Sequence, residues 1–340
     1  MPARILVTGG TGFIGSYLLR YLVQEGHGPI RALKRSSSSL ALVGEAAKGV
    51  EWVDGDLLDV HGMEQALRGI RKVYHAAALV SLDPAEKKHM MRVNREGTAH
   101  VVDQCLHAGI EKLVYVSSIA ALGRPQRGTE MDEGQPWERP EVATTYGLSK
   151  YLAELEVWRG IQEGLPAAIA IPSVVLGSGP WADNTMNFFR LGYKGNRFYP
   201  AGAGGFVDVR DVARFLLRLM ESEVEGERFL VTAENHSYRQ LMSDIADLFG
   251  TRHPDIRIGK QAQRIFSWFD WLGHVFTGSP RVITSDTVRT AGEVVHYRND
   301  KSRQALDFKY TPIRRTLQET CRQYAKAAQS DFAPLTLPLL

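Results

Sequence analysis

The chain has 340 residues, 44% of them hydrophobic and 23% charged, a composition ordinary for a globular protein and long enough for one large domain or two unequal ones. Its 41 basic and 38 acidic residues leave a net charge of +3, too even a balance to point to nucleic acid or a membrane surface as partner. Two cysteines, Cys105 and Cys321, form neither a metal spacing nor a disulfide framework, which suits a reducing, cytoplasmic setting. The N-terminal residues lack the basic, apolar and small-residue succession of a secretory signal. No apolar run approaches the roughly 20 residues needed to span a bilayer, so no membrane span is expected.

From Arg4 to Ser117, short β-like runs alternate with amphipathic helical stretches. The strands are expected at Arg4–Thr8, Pro29–Leu33, Val50–Val53, Lys72–His75 and Lys112–Ser117, and the helices near Phe13–Glu25, His61–Leu67 and Glu86–Ala108. This alternation predicts an α/β fold with a doubly wound parallel sheet. Ile5-Leu6-Val7 and Leu113-Val114-Tyr115-Val116 are apolar on successive residues, as strands buried on both faces must be. Gly123–Thr144, rich in Gly, Pro, Arg and Glu, reads as a long functional or mobile loop. A helix over Thr145–Glu163 and a strand over Ala167–Ile171 follow. Beyond about residue 178 the alternation breaks down, which suggests a smaller C-terminal substrate-binding portion with short helices. The expected division is 1–177 plus about 203–232 for a dinucleotide-binding domain, and about 178–202 with 233–330 for the substrate portion. The tail 331–340 is left open between frayed and docked.

Three glycines, Gly9, Gly12 and Gly15, sit between the first strand and the first helix. Glycines let the chain turn sharply and let a pyrophosphate come close, and the helix that starts near Phe13 offers it free N–H groups. The strand before and the helix after raise this motif above a plain tight turn and predict a dinucleotide site. An acid that would hold a ribose 2′-OH is expected at the end of the second strand in NAD-binding chains, but here the residues are Lys34-Arg35-Ser36. Arg35 and Ser36 can clamp a 2′-phosphate, since a guanidinium fits phosphate and an acid there would repel it. NADP(H) is therefore the preferred cofactor, with NAD(H) as the alternative. Downstream, Tyr146 and Lys150 are four apart and share a helix face, with Ser117-Ser118 ahead of them. A Tyr and Lys on a helix are a common surface pairing. Beside a dinucleotide loop they read as proton-transfer groups, with Lys150 and the nicotinamide expected to lower the phenol pKa.

Spacing sets Thr8-Gly9-Gly10-Thr11-Gly12-Phe13-Ile14-Gly15 apart from the commoner Gly-x-Gly-x-x-Gly loop. It resembles the nucleotide loop of the extended short-chain dehydrogenase/reductase superfamily, the NAD-dependent epimerase/dehydratase family. The resemblance continues in order through Asp54-Gly55-Asp56-Leu57, His75-Ala76-Ala77-Ala78, Val93-Asn94-Arg95-Glu96-Gly97-Thr98, Ser117-Ser118, Tyr146 with Lys150, Pro172–Gly177 and Phe206–Ala213. It runs from residue 4 to about 220 and, more loosely, to about 326. It implies a Rossmann fold in which Gly9, Thr11, Gly12, Phe13, Ile14 and Gly15 hold the dinucleotide. Asp56 and Leu57 would lie on the adenine side, and Ala76, Ala77 and Ala78 beside the cofactor. Pro172, Val174 and Val175 would pack on the nicotinamide. It further implies that Ser118 rather than Ser117 orients the substrate oxygen, that Lys150 also holds the nicotinamide ribose, and that Asn94 supports the site. Asp56 has a plainer reading as a turn cap, Asn94 as a polar helix residue and His75 as a packed strand end.

Ile169–Gly177 is similar to the dihydroflavonol-4-reductase-like subgroup, with Ile171 where many sugar-modifying members carry arginine. The function that follows is NADPH-dependent reduction of an aldehyde or ketone. Rival readings are an NAD-dependent nucleotide-sugar epimerase and an NADP(H)-sensing binding protein without turnover. A sugar dehydratase fits less well, because Ile119-Ala120 follows Ser118 where that subgroup has Asp-Glu. His61, His107 and His236 show no ligand spacing, so no metal is expected. The aromatic residues Phe266, Trp268, Phe269, Trp271 and Phe276 read first as core and second as an apolar wall over the substrate. Trp181, Phe188, Phe189, Tyr193, Phe198 and Tyr199 add to the apolar material. The expected partner is a small-molecule carbonyl compound, apolar and ring-containing on this reading. A homodimer through Glu86–Ala108 and Thr145–Glu163 follows family habit.

Overall fold

A computed structural model of the chain describes residues 4–81, 83–123, 130–137, 144–181, 184–258, 292–330 and 335–340. The first strand, β1 (Ile5–Thr8), is wholly buried and runs through the Gly-rich turn into α1 (Phe13–Gln24). After it come β2 (Ile30–Lys34), β3 (Val50–Asp54), α2 (Val60–Leu67), β4 (Lys72–His75), α3 (Lys87–Ala108) and β5 (Lys112–Val116). The next elements are β6 (Glu130–Met131), α4 (Thr145–Gln162) and β7 (Ala167–Pro172). The remainder comprises β8 (Val174–Leu176), α5 (Asn187–Tyr193), β9 (Phe198–Pro200), β10 (Ala203–Asp208), α6 (Val209–Glu221), β11 (Glu227–Val231), β12 (Glu234–Ser237) and α7 (Tyr238–Phe249). It closes with β13 (Ile256–Ile258), β14 (His296–Tyr297), α8 (Asp300–Ala305) and α9 (Ile313–Ala328).

Seven strands form one sheet in the order β11-β7-β5-β4-β1-β2-β3, every neighbouring pair parallel. The order reverses between β1 and β4, and in open α/β sheets that reversal opens the ligand crevice at the carboxyl ends of the strands. Helices cover both faces, as apolar strands without alternation require. On one face Leu18 and Leu22 of α1 and Phe215 and Leu216 of α6 are fully buried against the sheet. On the other, Val101 and Val102 of α3 and Ala153 and Val157 of α4 do the same.

Three features depart from the expected pattern or complete it. Within the expected loop Gly123–Thr144, β6 pairs in parallel with β14. A two-residue strand has no periodicity to read, and its partner lies far along the chain. Strand β10 does not join the main sheet but lies between β8 and β12 in a second one. Finally, the chain end is docked: Leu337 is fully buried, its N–H donates to Tyr17 Oη at 2.7 Å, and Arg20 Nη2 donates to its carbonyl at 2.8 Å. Tyr17 Oη in turn donates to the Ser178 carbonyl at 2.7 Å, which ties α1 to the start of the irregular region.

Trp181 and Phe189 are buried, and Phe188 stacks on Tyr238 with ring centroids 5.8 Å apart, so much of the aromatic material after residue 178 is core. The aromatic residues between 265 and 276 lie outside the described residues. Among the described residues no helix is long and apolar enough to cross a bilayer, and no group of His, Cys, Asp and Glu is placed to hold a metal ion.

Candidate active site

At the carboxyl end of β1 two of the three motif glycines, Gly9 and Gly15, are required by contact. Gly9 has a φ of +73°, and a Cβ there would stand 2.5 Å from the Ala77 nitrogen. A Cβ on Gly15 would stand 2.2 Å from the Gly9 carbonyl oxygen. The loop is thus folded tightly on itself and on the segment after β4. Gly12 N-caps α1 without a side-chain hydrogen bond, so the first-turn N–H groups, including those of Phe13 and Ile14, have no side-chain cap. The Phe13 ring itself packs over Gly179 and Tyr17.

A cleft of about 200 Å³ opens here, lined by Thr8, Gly9, Thr11 and Gly12, by Gly55, Asp56 and Leu57, and by Ala76, Ala77 and Ala78. Its far end is formed by Lys34, Arg35 and Ser38. The glycine contacts, the uncapped helix start and the cleft lining fit a dinucleotide, with its pyrophosphate at α1. Lys34 Nζ is paired with Asp54 Oδ1 at 2.5 Å, whereas Arg35 has no ion-pair partner among the described residues. Ser36 is exposed and outside the lining. Its place is taken by Ser38, whose Oγ accepts from the Arg35 N–H at 3.2 Å. The turn Arg35–Ser38 brings the later serine round, which a linear reading of Arg35-Ser36 does not anticipate. Asp56 lines the cleft, and its Oδ1 caps the Leu58 N–H at 2.9 Å, the plainer of its two expected roles. His89 and Val93 of α3 complete the lining.

The residues expected to transfer the proton meet at the end of β5. Ser118 caps the turn Ile119–Leu122, its Oγ accepting from the Ala120 N–H at 3.2 Å. Thr144 caps α4 through the Gly147 N–H at 2.8 Å. A Cβ on Gly147 would fall 2.7 Å from the Ala120 carbonyl, so only glycine lets the first turn of α4 press against the Ser118 turn. Tyr146 is thereby placed beside Ser118, near enough for the serine hydroxyl to act on its phenol. Ser117 faces away, as strand alternation requires, and donates to Glu154 Oε2 at 2.5 Å.

Lys150 is 2% exposed, and its Nζ donates to Tyr115 Oη at 2.6 Å and to the Val116 carbonyl at 2.8 Å. The expected depression of the Tyr146 phenol by Lys150 is not what the arrangement gives. Burial raises Tyr146 above the ordinary tyrosine value, and the Ser118 hydrogen bond is the only opposing influence. Burial also pulls Lys150 down to about 7, with Glu154 acting against it. Burial is the larger influence in both shifts.

Asn94 is buried and reads the segment after β4 twice. Its Oδ1 accepts from the Leu79 N–H at 2.7 Å, and its Nδ2 donates to the Leu79 carbonyl at 2.9 Å and to Ser149 Oγ at 2.9 Å. Ser149 Oγ donates on to the Tyr146 carbonyl at 2.7 Å, so Asn94 braces the cofactor-side loop against the helix that carries Tyr146. His75 is a packed strand-end residue: its ring nitrogens meet Thr8 Oγ1 at 2.7 Å and Thr98 Oγ1 at 3.0 Å, and burial lowers it to about 3. Pro172 ends β7 beside Val231, and Val174 and Val175 open β8, half-buried beside Phe206 and Val207. The fixing groups that sequence reasoning did not select are Tyr115, Ser149 and Glu154. The last carried a legible signal in its spacing of four from Lys150.

The model of the NAD dependent epimerase/dehydratase family matches residues 5–232. A Synechocystis sp. protein that carries the provisional name dihydroflavonol 4-reductase is 29% identical over 325 residues, covering 92% of this chain and 91% of its own. Sterol demethylase protein B of Methylococcus capsulatus is 32% identical over 259 residues, covering 74% of this chain and 76% of its own. Among solved structures, that of gox2253 superposes with a TM-score of 0.81 at 29% identity, covering 97% of this chain and 99% of that one.

Proposed function

The chain belongs to the NAD dependent epimerase/dehydratase family, whose members are NAD(P)-dependent oxidoreductase-type enzymes, and on that premise we propose that it reduces an aldehyde or ketone with NADPH. The observation that carries the reading is the convergence of Tyr146, Ser118 and a buried Lys150 at the carboxyl end of β5. Gly9, Gly12, Gly15 and the first turn of α1 hold the pyrophosphate, Asp56 and Leu57 the adenosine, and Arg35 with Ser38 the 2′-phosphate. Pro172, Val174 and Val175 flank the nicotinamide. The bound cofactor supplies the hydride to the carbonyl carbon.

The protein's own residues handle the oxygen. Ser118 orients it through its hydroxyl. Tyr146, held protonated by burial, keeps its proton at neutral pH and releases it once negative charge develops on the substrate oxygen. Lys150 supports that release as an ammonium and reaches the nicotinamide ribose. Asn94 braces the helix start.

The epimerase reading is disfavoured by two positions. Arg35, without a carboxylate partner among the described residues, stands where a ribose-binding acid is needed, and Ile171 stands fully buried at the end of β7. The relatives' names refer to a dihydroflavonol and a sterol, both ring systems, which supports an apolar, ring-containing carbonyl substrate. Incubating the purified protein with NADPH and a graded series of aliphatic, aromatic and multi-ring aldehydes and ketones tests the proposal. Net NADPH consumption is expected, greatest with the ring compounds. Interconversion of UDP-hexoses with no net cofactor consumption would put the epimerase in its place.

A further inference from the structure

Tyr146, Lys150 and Glu154 succeed one another at intervals of four along α4, so they share a helix face with neighbouring Cβ atoms about 5–6 Å apart. Lys150 and Glu154 are each 2% exposed, so neither reaches bulk water. The Glu154 carboxylate cannot swing away. Its Oε2 accepts from Ser117 Oγ at 2.5 Å, and its Oε1 from Arg228 Nη1 at 2.8 Å and Trp158 Nε1 at 3.3 Å. Arg228 is itself pinned, donating through Nε to the Glu133 carbonyl at 2.7 Å and through Nη2 to the Gln135 carbonyl at 3.3 Å. A carboxylate held by Ser117, Arg228 and Trp158 at once is a built feature of the interior, and nothing in the hydride and proton steps above uses it.

The groups facing Lys150 come from three elements. Strand β5 contributes Tyr115 Oη and the Val116 carbonyl, and burial raises the Tyr115 phenol well above its ordinary value, so it stays neutral. Strand β4 contributes His75, neutral for the same reason. Helix α4 itself contributes Tyr146 and Glu154, while Asn94 and Thr98 of α3, behind them, are uncharged. Arg228 of β11 acts only through Glu154. Glu154 is thus the one anion among the described groups around Lys150.

We propose that Glu154 is a positioning residue of the reaction, whose fixed carboxylate keeps Lys150 an ammonium in a place closed to water. The proposal rests on the reading of Tyr146, Ser118 and Lys150 as the proton-transfer machinery. With Lys150 brought down to about 7 by burial, neutral pH lies at its midpoint, and Glu154 decides on which side the side chain stands. Below the midpoint Lys150 is charged and aids proton release from Tyr146. Above it the amine gives no such help.

The test is a pH titration of the cofactor-free, full-length protein labelled with ¹³Cε-lysine, with the Lys150 resonance identified by its absence from Lys150→Met. The parent is expected to show one lysine titrating near 7. In Glu154→Gln that midpoint should fall by at least about one pH unit, a tenfold fall in the ratio of ammonium to amine at a fixed pH. Arg228→Gln leaves the carboxylate without its guanidinium and should move the midpoint upward, which keeps the proposal open to refutation if Glu154→Gln does not fold. An unchanged Lys150 midpoint in either folded variant overturns the proposal. The alkaline limb of turnover should follow the resonance downward in Glu154→Gln, whereas mere structural damage would lower the rate at every pH. Should the midpoint shift while even the parent protein reduces no carbonyl, the role of Glu154 stands and the reductase reading falls.

Discussion

Tyr146→Phe is expected to lower carbonyl turnover by roughly 10²- to 10⁴-fold, the usual worth of a positioned general acid, while NADPH affinity changes little. The variant removes one oxygen and leaves the ring. Thr144 still caps α4, Gly147 still presses on the Ala120 carbonyl, and Asn94 still reaches Ser149. The helix start therefore keeps its place, and the loss should appear in kcat rather than in cofactor binding. Steady-state rates together with NADPH fluorescence titration separate the two. Full turnover in Tyr146→Phe would remove the phenol from the mechanism.

Arg35→Asp is expected to weaken NADPH binding by roughly 10²-fold, the order of one lost charge-assisted contact plus a new repulsion. NADH binding should hold or improve, because an acid after β2 suits a ribose 2′-OH. The parent protein should prefer NADPH at least about tenfold, or 1.4 kcal/mol. Lys34 does not replace Arg35 in this role, since its ammonium is engaged by Asp54. Ser38→Ala should produce a smaller change of the same sign, whereas Ser36, exposed and outside the cleft lining, should matter little. Equal affinity for the two cofactors in the parent would remove the phosphate clamp.

The parts of the molecule governed by local rules were readable in the chain. Apolar runs of successive residues marked β1 and β5 as doubly buried strands, and β4 falls on Lys72–His75 as expected. The glycine spacing marked the turn into α1, because only residues without Cβ fit where the loop folds on itself. What was not readable depends on long-range packing. No local pattern reveals that β6 pairs with β14, or that Leu337 is drawn down onto Tyr17. Ser38 displaces Ser36 because of a turn whose geometry the serine run conceals. The Tyr146 phenol moves opposite to the expectation built on Lys150, since that expectation counted a neighbouring charge and not the loss of water around both groups. Glu154 shows the same limit: its spacing was visible, but not that Ser117, Arg228 and Trp158 converge to hold it.

The most direct test of the central claim uses NADPH carrying deuterium at the transferable C4 position and a ring-containing ketone or aldehyde that the protein consumes. Mass spectrometry of the alcohol is predicted to find one deuterium on the former carbonyl carbon, with one NADP⁺ formed per alcohol, and Tyr146→Phe is predicted to abolish nearly all of it. An alcohol without deuterium, or a protein that holds NAD tightly and inverts a sugar carbon while consuming no cofactor, would contradict the account.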